Sequence, residues 1–163
     1  MSRCWSKRLA IGTDEKRVVK QTTLKMDQQA LTTLLHAEFP QLASQFVIDA
    51  LAPMQATVRL LNDDRHLRPG GTVSGPAMFA LADVSVYLAI MAMIGPATLS
   101  VTTQGSIDFL RKPAAGVDLI CRTRLLKLGR ILAVGDCRIQ AQDRDALLAR
   151  ASLTYAIPPS TAR

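Results

Sequence analysis

Cysteine, histidine and aromatic residues are scarce in this chain. The 163 residues include three cysteines, two histidines and 4% aromatic residues. No two cysteines stand in a Cys-x-x-Cys pair, so neither a disulfide framework nor a structural zinc site is expected. The low aromatic content argues against nucleic-acid modules that stack bases on several exposed rings. Aliphatic side chains must therefore form most of the core.

Charge is also sparse over most of the chain. Charged residues make up 20% of the sequence, and the formal net charge is +7. Residues 1–25 hold seven Lys or Arg against two Asp or Glu, which leaves thirteen cations against eleven anions in residues 26–163. The basic character therefore belongs largely to an N-terminal arm, and the remainder lacks the broad basic face that nucleic-acid binding uses. We expect no nucleic-acid partner.

Length and composition fit one folded domain. Hydrophobic residues make up 48% of the chain, which is too many for a disordered protein. We expect a basic arm over residues 1–25, a single domain over 26–158 and a short tail over 159–163. The apolar stretch in the arm covers only residues 9–12 before charges return, so no secretory signal is predicted and the expected compartment is the cytoplasm.

Hydrophobic periodicity predicts a helix followed by strands. The apolar spacing predicts an amphipathic helix over 26–39 that ends before Pro40. Alternation predicts strands over 46–51 and 55–61, and a polar loop over 62–71 follows them. Further extended segments, joined by short turns typical of antiparallel hairpins and expected to form a meander, cover 98–110, 118–128, 131–142 and 146–156.

Residues 77–94 form a long apolar run that contains one acid, Asp83. A helix that is hydrophobic on all sides is either a buried core helix or a membrane span. Eighteen residues reach only about 27 Å, the lower limit for crossing a bilayer. An ionised Asp83 would also be costly in lipid. We therefore expect a buried helix, no membrane partner, and an α+β fold in which the sheet wraps this helix.

The same helix carries the first candidate groups for chemistry. A buried carboxylate is costly unless it is hydrogen-bonded, which makes Asp83 a candidate catalytic group. The alternative is a structural Asp that faces a subunit interface or accepts bonds from neighbouring hydroxyls. Ser74 is predicted to cap the helix start, and Gly75 permits close approach of another group to the backbone there. The free backbone N–H groups at this end are suited to binding a polarised carbonyl oxygen or an anion. Asp83 lies about 12 Å further along the axis, so one substrate reaches both groups only if it is long or a second subunit completes the site.

Other catalytic motifs fit poorly. Residues 70–75 have the glycine spacing of a phosphate loop, but Pro76 and Ala77 stand where Lys and Ser/Thr are required. Ser74 does not lie in a Gly-x-Ser-x-Gly elbow. His66 lies near Ser74 in sequence and is a candidate for a Ser/His pair, although a lone loop histidine is more often simply solvated.

Two segments resemble the hotdog-fold acyl-CoA thioesterases of the phenylacetate-pathway (PaaI-like) type. Residues 74–83 read SGPAMFALAD, and residues 102–113 read TTQGSIDFLRKP. That family shows His-Gly-Gly, then a helix with Leu-Ala-Asp, then a strand with an Ile-x-Phe-Leu-Arg-Pro-like run. The similarity spans residues 46–156. It implies the hotdog fold, a long central helix wrapped by a curved antiparallel sheet, in a homodimer or homotetramer with active sites between subunits.

The resemblance also implies an activity, the hydrolysis of an acyl-CoA or related thioester without a metal or redox cofactor. Asp83 matches the family's catalytic carboxylate, which acts as nucleophile on the thioester or as base for water. Gly75 matches the residue whose N–H polarises the thioester carbonyl. Ser74 and Pro76 replace the motif His and second Gly, and Arg68 stands where many members have Asn. These departures imply a changed substrate, another route for positioning water, or binding of acyl-CoA without hydrolysis.

The expected substrate-binding residues are polar or basic. Coenzyme A carries phosphates, for which Arg111 and Lys112 at the end of a strand are candidates. Arg68 is a candidate for contacting a carboxylate or phosphate, and Ser74 lies close to it in sequence at the helix start. A polar break in a strand consists of Thr102, Thr103 and Gln104, which are expected to face the site across from Asp83.

Two alternatives remain at this point. The first is a non-catalytic hotdog protein that binds acyl-CoA or another small ligand. The second is a hydratase or dehydratase of the same fold. Those enzymes usually need a paired histidine, and the expected positions hold Ser74 and Leu88, which disfavours this alternative.

Overall fold

The computed structural model describes residues 23–159. The predicted arm and tail lie mostly outside these residues, so the domain boundaries remain predictions. A short 3-10 helix covers Asp64–His66. The other helices and strands are, in chain order, α1 Gln28–Glu38, α2 Pro40–Ala43, β1 Phe46–Ala52, β2 Gln55–Leu60, β3 Leu67–Arg68, β4 Thr72–Val73, α3 Gly75–Ile94, β5 Val101–Phe109, β6 Leu119–Leu128, β7 Leu132–Ala141 and β8 Leu147–Ala156.

The predicted α+β arrangement of one long helix and an antiparallel sheet is confirmed. Six strands pair in the order β1-β2-β6-β7-β8-β5, and every neighbouring pair is antiparallel. Helix α3 packs against β6, β2 and β7 on one side and touches α1 on another. Helix α1 begins at its cap Asp27, whose side chain accepts the N–H of Ala30 at 2.8 Å. The helix predicted over 26–39 is confirmed, with the shorter bounds Gln28–Glu38.

The predicted meander is correct for β6, β7 and β8 and wrong for β5. Strand β5 does not form a hairpin with β6; it pairs with β8 at the edge of the sheet, with Thr102 opposite Tyr155. The connection over 111–116 carries the chain away from that edge, and Pro113 accepts the N–H of Val73 on β4 at 3.2 Å. A turn-rich sequence indicates that the chain changes direction, but it does not indicate which strand lies alongside the next one.

Helix α3 is the buried core helix expected from its all-round hydrophobicity. It begins at Gly75, directly after the predicted cap Ser74, and it ends at Ile94. Gly95 follows with a φ of 89°, a conformation that glycine adopts without strain. Its central residues Leu81, Val86 and Leu88 are fully buried. Within the part of the chain that the structure describes, α3 is long and apolar enough to cross a membrane, but 67% of its most apolar window is buried inside the protein. Most of its apolar side chains are therefore part of the hydrophobic core.

Close packing of α3 on the sheet depends on Gly135 in the middle of β7. A Cβ built at Gly135 would lie 2.6 Å from Val86 Cγ2 and 3.0 Å from Val86 Cγ1. We expect Gly135→Ala to lower the free energy of unfolding by about 1–3 kcal/mol, because helix and sheet must separate to admit the methyl group. Urea denaturation measures this loss. In a Val86→Ala background the same substitution should cost much less, and an equal cost in both backgrounds would contradict the packing explanation.

Candidate functional site

The start of α3 presents an unused hydrogen-bond donor. Ser74 caps the helix by accepting the N–H of Ala77 at 3.3 Å, as its sequence position predicted. The N–H of Ser74 itself donates to the carbonyl of His66 at 2.8 Å. Among residues 23–159, no group accepts a hydrogen bond from the Gly75 N–H. This donor lies at the positive end of the helix dipole, where it can stabilise a negatively polarised oxygen.

A cavity of about 380 Å³ opens at this helix start. Its floor is apolar, and the Phe109 ring lies so close to Gly75 that a Cβ on the glycine would be 3.0 Å from Phe109 Cζ. The residues that line it are Arg68, Val73, Gly75, Met78, Phe109, Leu110, Arg111, Lys112 and Pro113. The structure thus brings together Gly75 and the three predicted cations, Arg68, Arg111 and Lys112.

Two of these cations are held by hydrogen bonds to the protein. Arg68 Nε donates to Thr72 Oγ1 at 2.9 Å, across the short β3–β4 pair. Arg111 Nη1 donates to the carbonyl of Leu147 at 2.7 Å. Lys112 is exposed at the same rim and makes no hydrogen bond or ion pair within the described part of the chain. The cavity therefore combines apolar walls with a positively charged edge, an arrangement suited to a ligand with both apolar and anionic parts.

Asp83 lies in a second cluster, two turns further along α3. Its carboxylate oxygen Oδ1 accepts a hydrogen bond from Thr102 Oγ1 at 2.6 Å and another from Tyr155 Oη at 2.7 Å. The residue is half-buried, so part of it is open to solvent. Thr102 therefore faces Asp83 as expected from the sequence. Thr103 and Gln104 form no hydrogen bond with Asp83 and are both exposed. Gln104 lies beyond an irregularity in the β5–β8 register, and Thr103 Oγ1 donates to the carbonyl of Thr154 at 3.2 Å.

Tyr155 was not singled out in the sequence. It is only 2% exposed, and its ring packs beside Tyr87 with ring centroids 6.5 Å apart. Burial and the Asp83 carboxylate raise the pKa of Tyr155, so its hydroxyl keeps its proton and remains a donor. No local sequence pattern indicates this contact, because Tyr155 meets Asp83 only through the long-range pairing of β5 with β8.

The hypothesis of a Ser74–His66 pair is not supported by the geometry. His66 is 6% exposed rather than solvated. Its Nδ1 accepts the N–H of Asp63 at 3.1 Å, and its Nε2 lies 2.9 Å from Gln45 Oε1. Both ring nitrogens are therefore occupied in holding the loop before α3 against the segment that leads into β1. His66 is a structural histidine, and the predicted loop over 62–71 is ordered partly by it.

Two cysteines are buried in the core, on strands that pack against α3. Cys121 and Cys137 lie on β6 and β7, with Thr123 Oγ1 at 3.5 Å and 3.2 Å from their sulfurs. Contact with Cys121 and burial raise the pKa of the Cys137 thiol, which favours its protonated form. Among residues 23–159, no three His, Cys, Asp or Glu side chains stand close enough to hold a metal ion.

Comparisons with known proteins agree with this fold. The profile of the thioesterase superfamily matches residues 70–148. A Pseudomonas aeruginosa protein named "Putative esterase PA0474" is 31% identical over 127 residues, which cover 73% of this chain and 93% of that protein. A crystal structure of a protein named "putative thioesterase (TM1040_1390)", from Silicibacter sp. TM1040, is 52% identical and covers 86% of this chain and 97% of the other, with a TM-score of 0.80.

More distant structures share the fold. The phenylacetic acid degradation protein PaaI of Thermus thermophilus is 26% identical, with a TM-score of 0.64 and coverage of 73% of this chain and 99% of PaaI. A hypothetical thioesterase from Streptococcus pneumoniae, solved with coenzyme A, has a TM-score of 0.68 at 20% identity and covers 78% and 97% of the two chains. The architecture is therefore the hotdog fold, as the resemblance implied. The chain belongs to the thioesterase superfamily.

Proposed function

We propose that this protein is a thioesterase that hydrolyses an acyl-CoA or a related thioester to a free acid and a thiol. The observation that carries the proposal is the Asp83 carboxylate, which lies in an otherwise apolar helix and receives two hydroxyl donors on one oxygen. A carboxylate held in this way at a half-buried position is suited to act as nucleophile or general base. The free N–H of Gly75 supplies the second element, a donor for the thioester oxygen.

The reaction follows from these two groups. In the general-base route, Asp83 takes a proton from water as the water oxygen bonds to the thioester carbon. Negative charge then moves to the carbonyl oxygen, where the Gly75 N–H donates to it. Collapse of this intermediate breaks the carbon–sulfur bond, and the departing thiolate receives the proton from Asp83. In the nucleophilic route, Asp83 attacks the same carbon, the carbon–sulfur bond breaks, and the thiolate leaves. Water then hydrolyses the mixed anhydride to the free acid and the Asp83 carboxylate, and the proton released in this step goes to the thiolate.

A second copy of the chain is part of this proposal. Asp83 and Gly75 stand on the same helix about 12 Å apart, too far to act on one carbonyl group. Strand β5 is an edge strand, and both Val101 and Phe109 on it are more than half exposed, at 57% and 52%. Natural proteins cover such apolar edges. A homodimer or homotetramer formed along β5 would cover them, with Asp83 of one subunit near Gly75 of another.

Coenzyme A is the proposed carrier of the acyl group. The cavity at Gly75 has Arg68, Arg111 and Lys112 at its edge, and such cations suit the phosphates of the coenzyme. The Streptococcus pneumoniae thioesterase of the same fold was solved with coenzyme A. Hydrolysis by a carboxylate and water needs no metal or redox cofactor, and we propose none. We also propose a cytoplasmic location, where acyl-CoA is found, and no nucleic-acid or membrane partner.

Thiol release from a panel of acyl-CoAs tests the proposal. The panel contains short, long and aromatic acyl groups, and free thiol is followed with a chromogenic thiol reagent. Turnover above the uncatalysed rate for at least one acyl group is the expected result, and the preferred group identifies the substrate class. Failure to cleave any member at any protein concentration would contradict the enzyme proposal.

The alternative is a binding protein on the same fold. The observation that favours it is Ser74, which stands where the family motif has His and whose hydroxyl accepts the N–H of Ala77 as a helix cap. Titration calorimetry with the same acyl-CoAs separates the two functions. Binding without turnover would indicate the binding protein, whereas turnover excludes it.

A further inference from the structure

Two hydroxyl groups converge on one oxygen of Asp83 and leave the other oxygen free. Thr102 Oγ1 and Tyr155 Oη lie 2.6 Å and 2.7 Å from Oδ1. Tyr155 Oη is also 2.9 Å from the backbone oxygen of Asp83. A hydroxyl has a single proton, and a carboxylate is the stronger acceptor, so the bond to Oδ1 is the dominant one.

The opposite carboxylate oxygen is in a different environment. Within residues 23–159, Oδ2 of Asp83 receives no hydrogen bond, and it is not among the polar atoms enclosed without a partner. Solvent therefore reaches Oδ2. The carboxylate thus has one fixed oxygen and one available oxygen, although the two are chemically equivalent in a free carboxylate.

The Tyr155 hydroxyl, the donor on β8, is held in a fixed position. Tyr155 is buried between the sheet and α3, and its ring packs against that of Tyr87, which packs edge-on against Phe39 with centroids 5.5 Å apart. A buried ring that is fixed on several sides has little freedom to move its hydroxyl. Thr102 lies opposite Tyr155 in the β5–β8 register, so both donors are set by the same strand pairing.

We propose that Tyr155 is a positioning residue which, with Thr102, holds Oδ1 of Asp83 so that Oδ2 is the oxygen that meets water or the thioester carbon. This inference rests on the proposed function. Without the tyrosine donor, the carboxylate retains one hydrogen bond and rotates more freely about its Cβ–Cγ bond. The reacting oxygen then spends less time in the productive orientation.

The pair of variants Tyr155→Phe and Tyr87→Phe tests the role of Tyr155. Both remove one hydroxyl from the same aromatic cluster, but the Tyr87 hydroxyl is buried without a hydrogen-bond partner among the described residues, so it forms no hydrogen bond to Asp83. We expect Tyr155→Phe to lower kcat about 10- to 100-fold, the range for loss of a hydrogen bond to a charged group. KM for the acyl-CoA should stay within about 2-fold, because Tyr155 lies behind Asp83 and not in contact with substrate.

Thr102 provides the conservative comparison. Thr102→Ser keeps a hydroxyl and should retain kcat, whereas Thr102→Val removes the donor and should lower it. Equal kcat values for Tyr155→Phe and Tyr87→Phe in folded protein would overturn the proposal. So would a rise in KM that accounts for the whole loss in Tyr155→Phe, because that result indicates a substrate contact.

Crystal structures of the wild type and Tyr155→Phe separate this inference from the proposed function. The expected result is an Asp83 carboxylate that is turned or spread over several orientations in the variant. An identical, single orientation in both proteins would overturn the positioning role even if the wild type is an active thioesterase. A wild type that cleaves no thioester would contradict the proposed function, while the orientation of Asp83 would still decide whether Tyr155 positions it.

Discussion

Asp83→Asn is expected to reduce thiol release about 10²–10⁴-fold, the usual contribution of a catalytic base. The amide cannot take a proton from water and is a poor nucleophile. Its oxygen can still accept the hydrogen bonds that Thr102 and Tyr155 donate to Oδ1, so the fold around it should be retained. Steady-state kinetics on the best acyl-CoA of the panel, at equal concentrations of folded protein, measure the effect.

Asp143→Asn is the matched control for this experiment. Asp143 lies in the turn between β7 and β8, where it is exposed and pairs with Arg144 at 3.6 Å. The same chemical change there should leave kcat within about 2-fold of the wild type, because a surface charge at this distance is screened. Full turnover by Asp83→Asn would remove this carboxylate from the mechanism. A loss shared equally by both variants would indicate a general effect of charge rather than catalysis.

Gly75→Pro is expected to lower kcat about 10²–10³-fold, the usual effect of removing an oxyanion donor. Proline has no N–H, and the first helical turn accepts it because no intrahelical bond is lost there. The preceding residue Ser74 has ψ of 153°, the extended conformation that a following proline requires. The substitution therefore removes the proposed donor with little change in the backbone.

Gly75→Ala isolates the contribution of the N–H group. Alanine introduces the same Cβ, 3.0 Å from the Phe109 ring, but keeps the donor. Phe109 is half exposed, so its ring has room to shift. Catalysis should therefore fall far less in Gly75→Ala than in Gly75→Pro. If both variants lose the same activity, the contact with Phe109 explains the loss and the N–H has no special role.

Complementation between Asp83→Asn and Gly75→Pro chains tests whether the site is shared between subunits. Asp83→Asn and Gly75→Pro chains, each inactive alone, are unfolded together and refolded. If Asp83 of one subunit works with Gly75 of the other, a mixed dimer has one intact site. About a quarter of the wild-type activity should return, since half of randomly formed dimers are mixed and each has one intact site of two. If no activity returns although mixed dimers form, both residues act within one chain or not at all.

Helix α3 shows which structural features can be predicted from local sequence patterns. The predicted cap at Ser74 lies directly before the first helical residue, and the apolar run over 77–94 ends where the helix ends, at Ile94. Its uninterrupted hydrophobicity predicted a buried helix in the same way. The isolated acid at Asp83 was visible for the same reason, because a charge in an apolar helix needs a specific partner.

The partners of Asp83 depended on long-range strand pairing. Thr102 was expected from its polar neighbours, but Tyr155 stands 72 positions from Asp83 and reaches it only because β5 pairs with β8. Turn residues between β5 and β6 predicted a hairpin that does not exist. Local turn chemistry contains no information on which edge of a sheet a strand joins, since that depends on how the whole sheet packs on α3.

The sequence by itself therefore determined the central helix, its cap, the candidate carboxylate and the resemblance to the thioesterase superfamily. All of these depend on residue types at short spacing. Only the tertiary structure decided that His66 is structural, that Gln104 forms no hydrogen bond with Asp83, and that Thr102 and Tyr155 share one carboxylate oxygen. These facts depend on backbone segments distant in the chain that meet in the sheet, where the pairing with the best burial and complete hydrogen bonding is selected.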